Sequence, residues 1–205
     1  LLVEIHLMEA AMRVHERFVR ISVARFVASA GLAVLLAVAP TTLAASAHAD
    51  TDFGGGCILY THNRAATVDA LRNHCSAAQQ DQIYTTAPRG DVPHGLTDGW
   101  VSRPPVMEVL APPFWVGKTF DTGPNGGTLT NRITPLSVPG WPAYVYSGPG
   151  HFDGRPAWLL DYAPSITPQI LDEIREVTPG VWFGYSWWRG FFQTVMLLTF
   201  VLVEH

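Results

Sequence analysis

The sequence predicts an α+β protein that is mainly antiparallel β: a small barrel or half-barrel with an N-terminal helical pair and one inserted helix. Three observations carry that reading. From Trp115 onward, segments of strand length are separated by Asn125-Gly126-Gly127, Asp153-Gly154 and Pro179-Gly180, whose tolerance of positive φ builds hairpins and tight turns. Ahead of them, Ser76 and Gln79 have the spacing of a capping box. Between the fourth and fifth strands, Ser165 and Thr167 precede Ile170, Leu171 and Ile174, spaced as the inner face of a short helix.

The elements follow in chain order. Residues 1–11 read as an over-extended reading frame. Met12 to Ala49 reads as a secretory signal peptide: Arg13, Arg17, Arg20 and Arg25 stand against Glu16, an apolar run covers Phe26 to Ala39, and Ala47-His48-Ala49 is the small-residue exit. The run ends at Pro40, short of the roughly 18 apolar residues that a spanning helix needs. Cleavage after Ala49 leaves Asp50 at the mature N-terminus and predicts a secreted, extracellular or cell-envelope protein. Domain organisation is then 1–49 removed, 50–113 as helices and a covering loop, and 114–205 as the barrel, the last two forming one structural domain.

Cys57 and Cys75 are the two cysteines, and in an oxidising compartment they read as one disulfide. A lipidated Cys57 is the rival reading, but Gly54-Gly55-Gly56 lies well past the apolar run. Ala65 to Asn73 has helical spacing, and a second helix runs from about Ala77 to Thr86, ended by Pro88. Arg89 to Pro113 is punctuated by Pro93, Gly95, Gly99, Pro104, Pro105, Pro112 and Pro113, which predicts an irregular wrap with at most short strands.

Strands are expected over 117–120, 127–133, 143–147, 157–162, 180–188 and 191–203. In the fourth, Trp158, Leu160 and Tyr162 share one face, and Asp161 points to the other. The last strand is apolar on both faces, as expected of a strand covered on both sides.

Several motifs occur in one order: Trp115-Val116-Gly117-Lys118-Thr119-Phe120, Asn131-Arg132, Asp153-Gly154-Arg155-Pro156-Ala157, and Asp172-Glu173-Ile174-Arg175-Glu176-Val177 with Pro179-Gly180. Over residues 76–203 they resemble a family of secreted actinobacterial proteins. The resemblance implies a calycin- or lipocalin-like barrel, although the lipocalin Gly-x-Trp motif is not found in its usual setting.

From Asp50 onward the chain carries nine Lys or Arg against fourteen Asp or Glu, without a basic cluster, which argues against nucleic acid as a partner. Its aromatic density suits a cavity for a small apolar or amphipathic, lipid-like molecule. The lining is expected to come from Trp158, Tyr162, Trp182, Tyr185 and Phe200. Asp161 with Arg132 and Arg175 is expected to form the polar end, because a lone buried carboxylate is prohibitive, and Lys118 to seal the sheet or the mouth. The ordinary alternatives are core packing for the rings and a structural ion pair for the charges.

Histidines 62, 74, 94 and 151 are isolated, with no metal-ligand spacing; no metal and no cofactor is expected. Gly184-Tyr185-Ser186-Trp187-Trp188 is the nearest approach to a nucleophile elbow, with Trp where the final Gly belongs. The principal reading is a secreted, monomeric binding protein for a lipid-like ligand, without assigned catalytic residues. Two alternatives stand beside it: a hydrolase or esterase on such a molecule, and a cell-envelope interaction module with an outer aromatic patch and no enclosed ligand.

Overall fold

The computed structural model describes residues 49–205. The expected signal segment up to residue 48 and the expected over-extension over 1–11 lie outside the described residues. All described residues belong to one compact unit.

A two-stranded antiparallel ribbon, β1 (Thr51–Asp52) and β2 (Ile58–Leu59), leads into α1 (Arg64–Asp69), a π-helical turn (Ala70–His74) and α2 (Ala77–Thr86). The capping box forms as the sequence predicts: Gln79 N donates to Ser76 Oγ (3.3 Å), and Ser76 N donates to Gln79 Oε1 (2.8 Å). Cys57 and Cys75 form the expected disulfide, tying the ribbon to the approach of α2. No described helix is long and apolar enough to cross a membrane.

Eight strands follow, β3 (Gly95–Arg103), β4 (Gly117–Gly123), β5 (Gly126–Ile133), β6 (Val138–Pro149), β7 (Pro156–Asp161), β8 (Ile170–Thr178), β9 (Val181–Arg189) and β10 (Thr194–Glu204), with α3 (Pro105–Leu110) between β3 and β4. Each pairs antiparallel with its sequence neighbour, and β10 pairs with β3 to close the barrel, Phe200 opposite Val101. Closure removes both sheet edges.

Two expectations need correction. The inserted helix is absent: Ile170–Thr178 is strand β8, paired with both β7 and β9. Ile170 and Ile174 stand four apart, which fits a helix, but they also belong to the alternating set Ile170, Asp172, Ile174. The charged residue between them hides the period of two, and the two neighbouring ladders decide the outcome.

The irregular wrap is also incorrect. Gly95–Arg103 is a nine-residue strand, so the barrel begins before residue 114. Gly99 reads as punctuation in the sequence but serves close packing: a Cβ there would lie 2.4 Å from the Trp115 ring.

The barrel separates two cores. Inside are Phe120, Leu129, Val145, Trp158, Leu160, Ile174, Trp182 and Leu202, among others. Outside, Leu71, Ile83 and Tyr84 of the helical layer pack on Phe183, Tyr185 and Val201. This explains the two apolar faces of β10 from Phe200 onward, with Phe200 and Leu202 inward and Val201 beneath the helices; Thr194–Leu197, by contrast, is exposed.

One end of the barrel is sealed by the segment Arg89–Pro93. Trp158 Nε1 donates to Gly90 O (3.2 Å) and Trp182 Nε1 to Asp91 O (2.8 Å), while the Glu176 carboxylate accepts from Asp91 N (2.9 Å) and Gly180 N (2.8 Å). The Arg89 guanidinium lies 4.3 Å from the centre of the Trp158 indole. At the opposite end lie α3 and the loops joining β3 to β4, β5 to β6, β7 to β8 and β9 to β10.

Candidate functional site

The open half of the barrel holds a cavity of about 500 Å³, within the range of small-molecule sites. Trp115, Trp141, Ile170, Leu198 and Phe200 form much of its wall, and Met107, Leu110 and Phe114 flank the mouth. Four polar side chains and a serine form its base: Lys118 on β4, Asn131 on β5, Tyr162 just after β7, and Asp172 with Ser186 on β8 and β9. Strand alternation places them there, because Lys118 shares a face with Phe120, Asn131 with Leu129, and Asp172 with Ile174.

Lys118 is the hub. Its ammonium donates to Asn131 Oδ1 (3.0 Å), to Asp172 Oδ2 (3.0 Å) and to Tyr162 Oη, which uses all three of its protons. Tyr162 in turn donates to Asp172 Oδ2 (3.0 Å), Asn131 Nδ2 donates to Trp141 O (2.9 Å), and Trp115 Nε1 donates to Asn131 Oδ1 (2.8 Å). The rings of Trp115, Tyr162 and Phe200 centre 5.2 to 5.3 Å from the ammonium, within cation–π range.

Burial pushes the Lys118 ammonium below its ordinary range, and Asp172 partly restores it. Burial, reinforced by the Asp172 charge, raises the Tyr162 phenol well above its ordinary value, so Tyr162 is a neutral O–H donor at physiological pH. Asp172 Oδ1 makes no hydrogen bond within the protein. Together these groups form an internally neutral polar floor under an apolar chamber.

Of the residues expected to line a site, Tyr162 and Phe200 meet at this cavity. Trp158 and Trp182 face the interior as expected but fill its sealed half. Tyr185 faces outward beneath α2, its hydroxyl donating to Asp81 Oδ1 (2.7 Å) and its ring stacked on Phe152.

The expected polar end of Asp161, Arg132 and Arg175 does not assemble. Asp161 is on the outer face with Arg189 (2.6 Å), as the alternation of β7 requires. Arg132 pairs with Asp98 (2.8 Å). Arg175 is fully buried between barrel and helices, where it pairs with Asp153 (2.5 Å) and donates to Tyr84 O (2.9 Å).

Lys118 faces the cavity floor rather than sealing its mouth. Asn131, Asp172 and Ser186 also line the cavity, although they are not among the residues expected to do so; a helical reading of 170–178 sets Asp172 on a solvated face, whereas a period of two turns it inward.

The remaining motifs have structural places. Gly184–Trp188 runs as extended β9, so no strand-to-helix elbow forms around Ser186. His151 packs edge-on to Trp187, and Asp153 is taken by Arg175. Among the described residues, no three His, Cys, Asp or Glu side chains are grouped to hold a metal ion.

No family model and no curated protein matches this chain. Among solved structures, a crystal structure of a protein from Thermomonospora curvata is similar at 18% identity and a TM-score of 0.43, covering 64% of this chain and 88% of that one. A likeness at that level carries no argument about function.

Proposed function

We propose that this protein binds a small, largely apolar molecule in the open half of its barrel, with an uncharged polar end resting on the Lys118–Tyr162–Asp172 floor. The observation that carries the proposal is the apolar chamber over a buried, internally paired charge cluster. Because the ammonium protons are already engaged, a carboxylate head would add a charge to a site that is electrically closed. A neutral hydroxyl or carbonyl adds none. The binding reading includes export through the 12–49 segment and kinship with the calycin-like family.

The test uses residues 46–205 with the disulfide formed and an uncharged naphthylamine fluorophore as probe. Fluorescence enhancement is expected, with decanol displacing the probe at least about tenfold more effectively than decanoate, a difference worth about 1.4 kcal/mol. Leu198→Trp, which places an indole in the chamber, is expected to abolish the signal. Absence of enhancement in the unaltered protein, or an unchanged signal in the Leu198→Trp protein, sinks the proposal.

A further inference from the structure

The exposed large apolar side chains of the barrel are concentrated at its open end. Val109 and Phe114 lie between β3 and β4, Leu136 between β5 and β6, Ile166 between β7 and β8, and Phe191 with Phe192 at the tip between β9 and β10. Every loop at the mouth therefore contributes at least one. Phe191 and Phe192 are 95% and 93% exposed, their rings edge to face at 4.9 Å, and Ile166 and Leu136 are nearly as open. The turns at the sealed end, including 150–155 with His151, Asp153 and Arg155, present no such side chains.

Charge is distributed in the opposite way. Across 104–116, 134–137, 162–169 and 190–193, Glu108 is the one formally charged side chain. Glu108 borders a depression that it shares with Arg72 and Asp98. The cations that border these loops, Arg189 and Arg132, are paired with Asp161 and Asp98, so the face has little net charge with which to recognise a charged partner, and it complements an uncharged, apolar medium.

We infer that the open end of the barrel docks onto a lipid bilayer, with the four loop tips entering the boundary between head groups and hydrocarbon. Isolated side chains raised on separate loops around an opening suit a fluid surface, which closes around each one. Shallow insertion of apolar side chains is sufficient for reversible association. The docked orientation turns the cavity mouth toward the hydrocarbon, so a lipid-like occupant passes from bilayer to barrel without crossing water; this last step rests on the binding function proposed above.

The experiment is vesicle flotation of residues 46–205 with pure phosphatidylcholine vesicles at low and high salt. The unaltered protein is expected to float with the vesicles to the same extent in both, since no charge attraction is available to be screened. Phe191→Ser with Phe192→Ser is expected to weaken binding at least about thirtyfold, from the apolar area no longer buried. Ile166→Ser, on a separate loop, is expected to weaken it by a smaller factor. These rings are almost wholly exposed, so unchanged circular dichroism is expected to accompany the loss.

Failure of the unaltered protein to float, or equal flotation of the Phe191/Phe192 variant, overturns the inference. So does a dimer in sedimentation that dissociates on the same substitutions, because the tips would then be covered by a second copy. Leu198→Trp separates this inference from the binding proposal: flotation that persists with the cavity blocked supports docking by itself, whereas probe binding without flotation overturns docking and leaves the cavity reading standing.

Discussion

Lys118 and Asp172 come from β4 and β8, on opposite sides of the barrel order, and meet at its centre. Removing both from water is costly, and their mutual attraction together with Asn131 and Tyr162 offsets that cost. Removing only the cation leaves a buried carboxylate without compensation. Lys118→Met is therefore expected to destabilise the protein by about 3 to 5 kcal/mol in urea unfolding. Lys118→Met with Asp172→Leu is expected to recover most of the loss. A double variant as unstable as the single one would show that shape, and not charge pairing, holds the floor together.

At the scale of elements, β8 and β9 illustrate how pairing overrides local preference. The strand register sets Gly184 opposite Ile174 on the inward face, and a Cβ on Gly184 would lie 2.3 Å from the Glu173 carbonyl oxygen and 2.6 Å from Ile174 Cγ2. The glycine lets the two strands approach at this point. Gly184→Ala is expected to cost about 2 kcal/mol, in the range of overpacked cores. Gly123→Ala is the control, because a Cβ there meets nothing within 4 Å, and it is expected to be near neutral. Equal costs measured by thermal unfolding would remove the packing explanation.

For the whole molecule, the Arg103–Asp81 and Arg64–Glu204 pairs join the helical layer to the barrel, while Arg175–Asp153 and Arg189–Asp161 brace the barrel wall itself. The Arg175 hydrogen bonds hold the Asp153 carboxyl below the usual carboxylate range. Burial alone would raise Asp161, but the Arg189 hydrogen bond and charge outweigh it and leave it lowered. A carboxyl depressed in the folded state contributes stability above its unfolded value, near pH 4, and that contribution is lost as pH falls through the folded value. Glu173, raised by burial against its hydrogen bonds from Phe152 N and His151 N, has the opposite sign. Its contribution is present below its ordinary value and lost as pH rises through the folded one. Urea unfolding between pH 5 and pH 2.5 is expected to show a smaller acid loss for Asp153→Asn than for the unaltered protein, a difference in which Glu173 cancels. Identical acid slopes would show that the Asp153–Arg175 pair is not the source.

By itself the sequence determined the features whose physics is local: the capping box at Ser76, the positions of most strands between their glycine turns, the Cys57–Cys75 pairing, and the inward stripe of Trp158, Leu160 and Tyr162. Each rests on neighbouring residues or on a clean period of two. The site was only partly legible, through Tyr162 and Phe200. Its floor is assembled from β4, β5, β8 and β9 together with Tyr162, so no window of sequence contains it, and the charged residue that breaks the apolar pattern of β8 is itself part of the floor. Tertiary structure alone decided which aromatic rings fill the sealed half and which leave the other half open, because that depends on where Arg89–Pro93 lies. It also decided the partner of each charge, since Asp161, Arg132 and Arg175 project from the outer wall, and barrel closure separates that wall from the cavity.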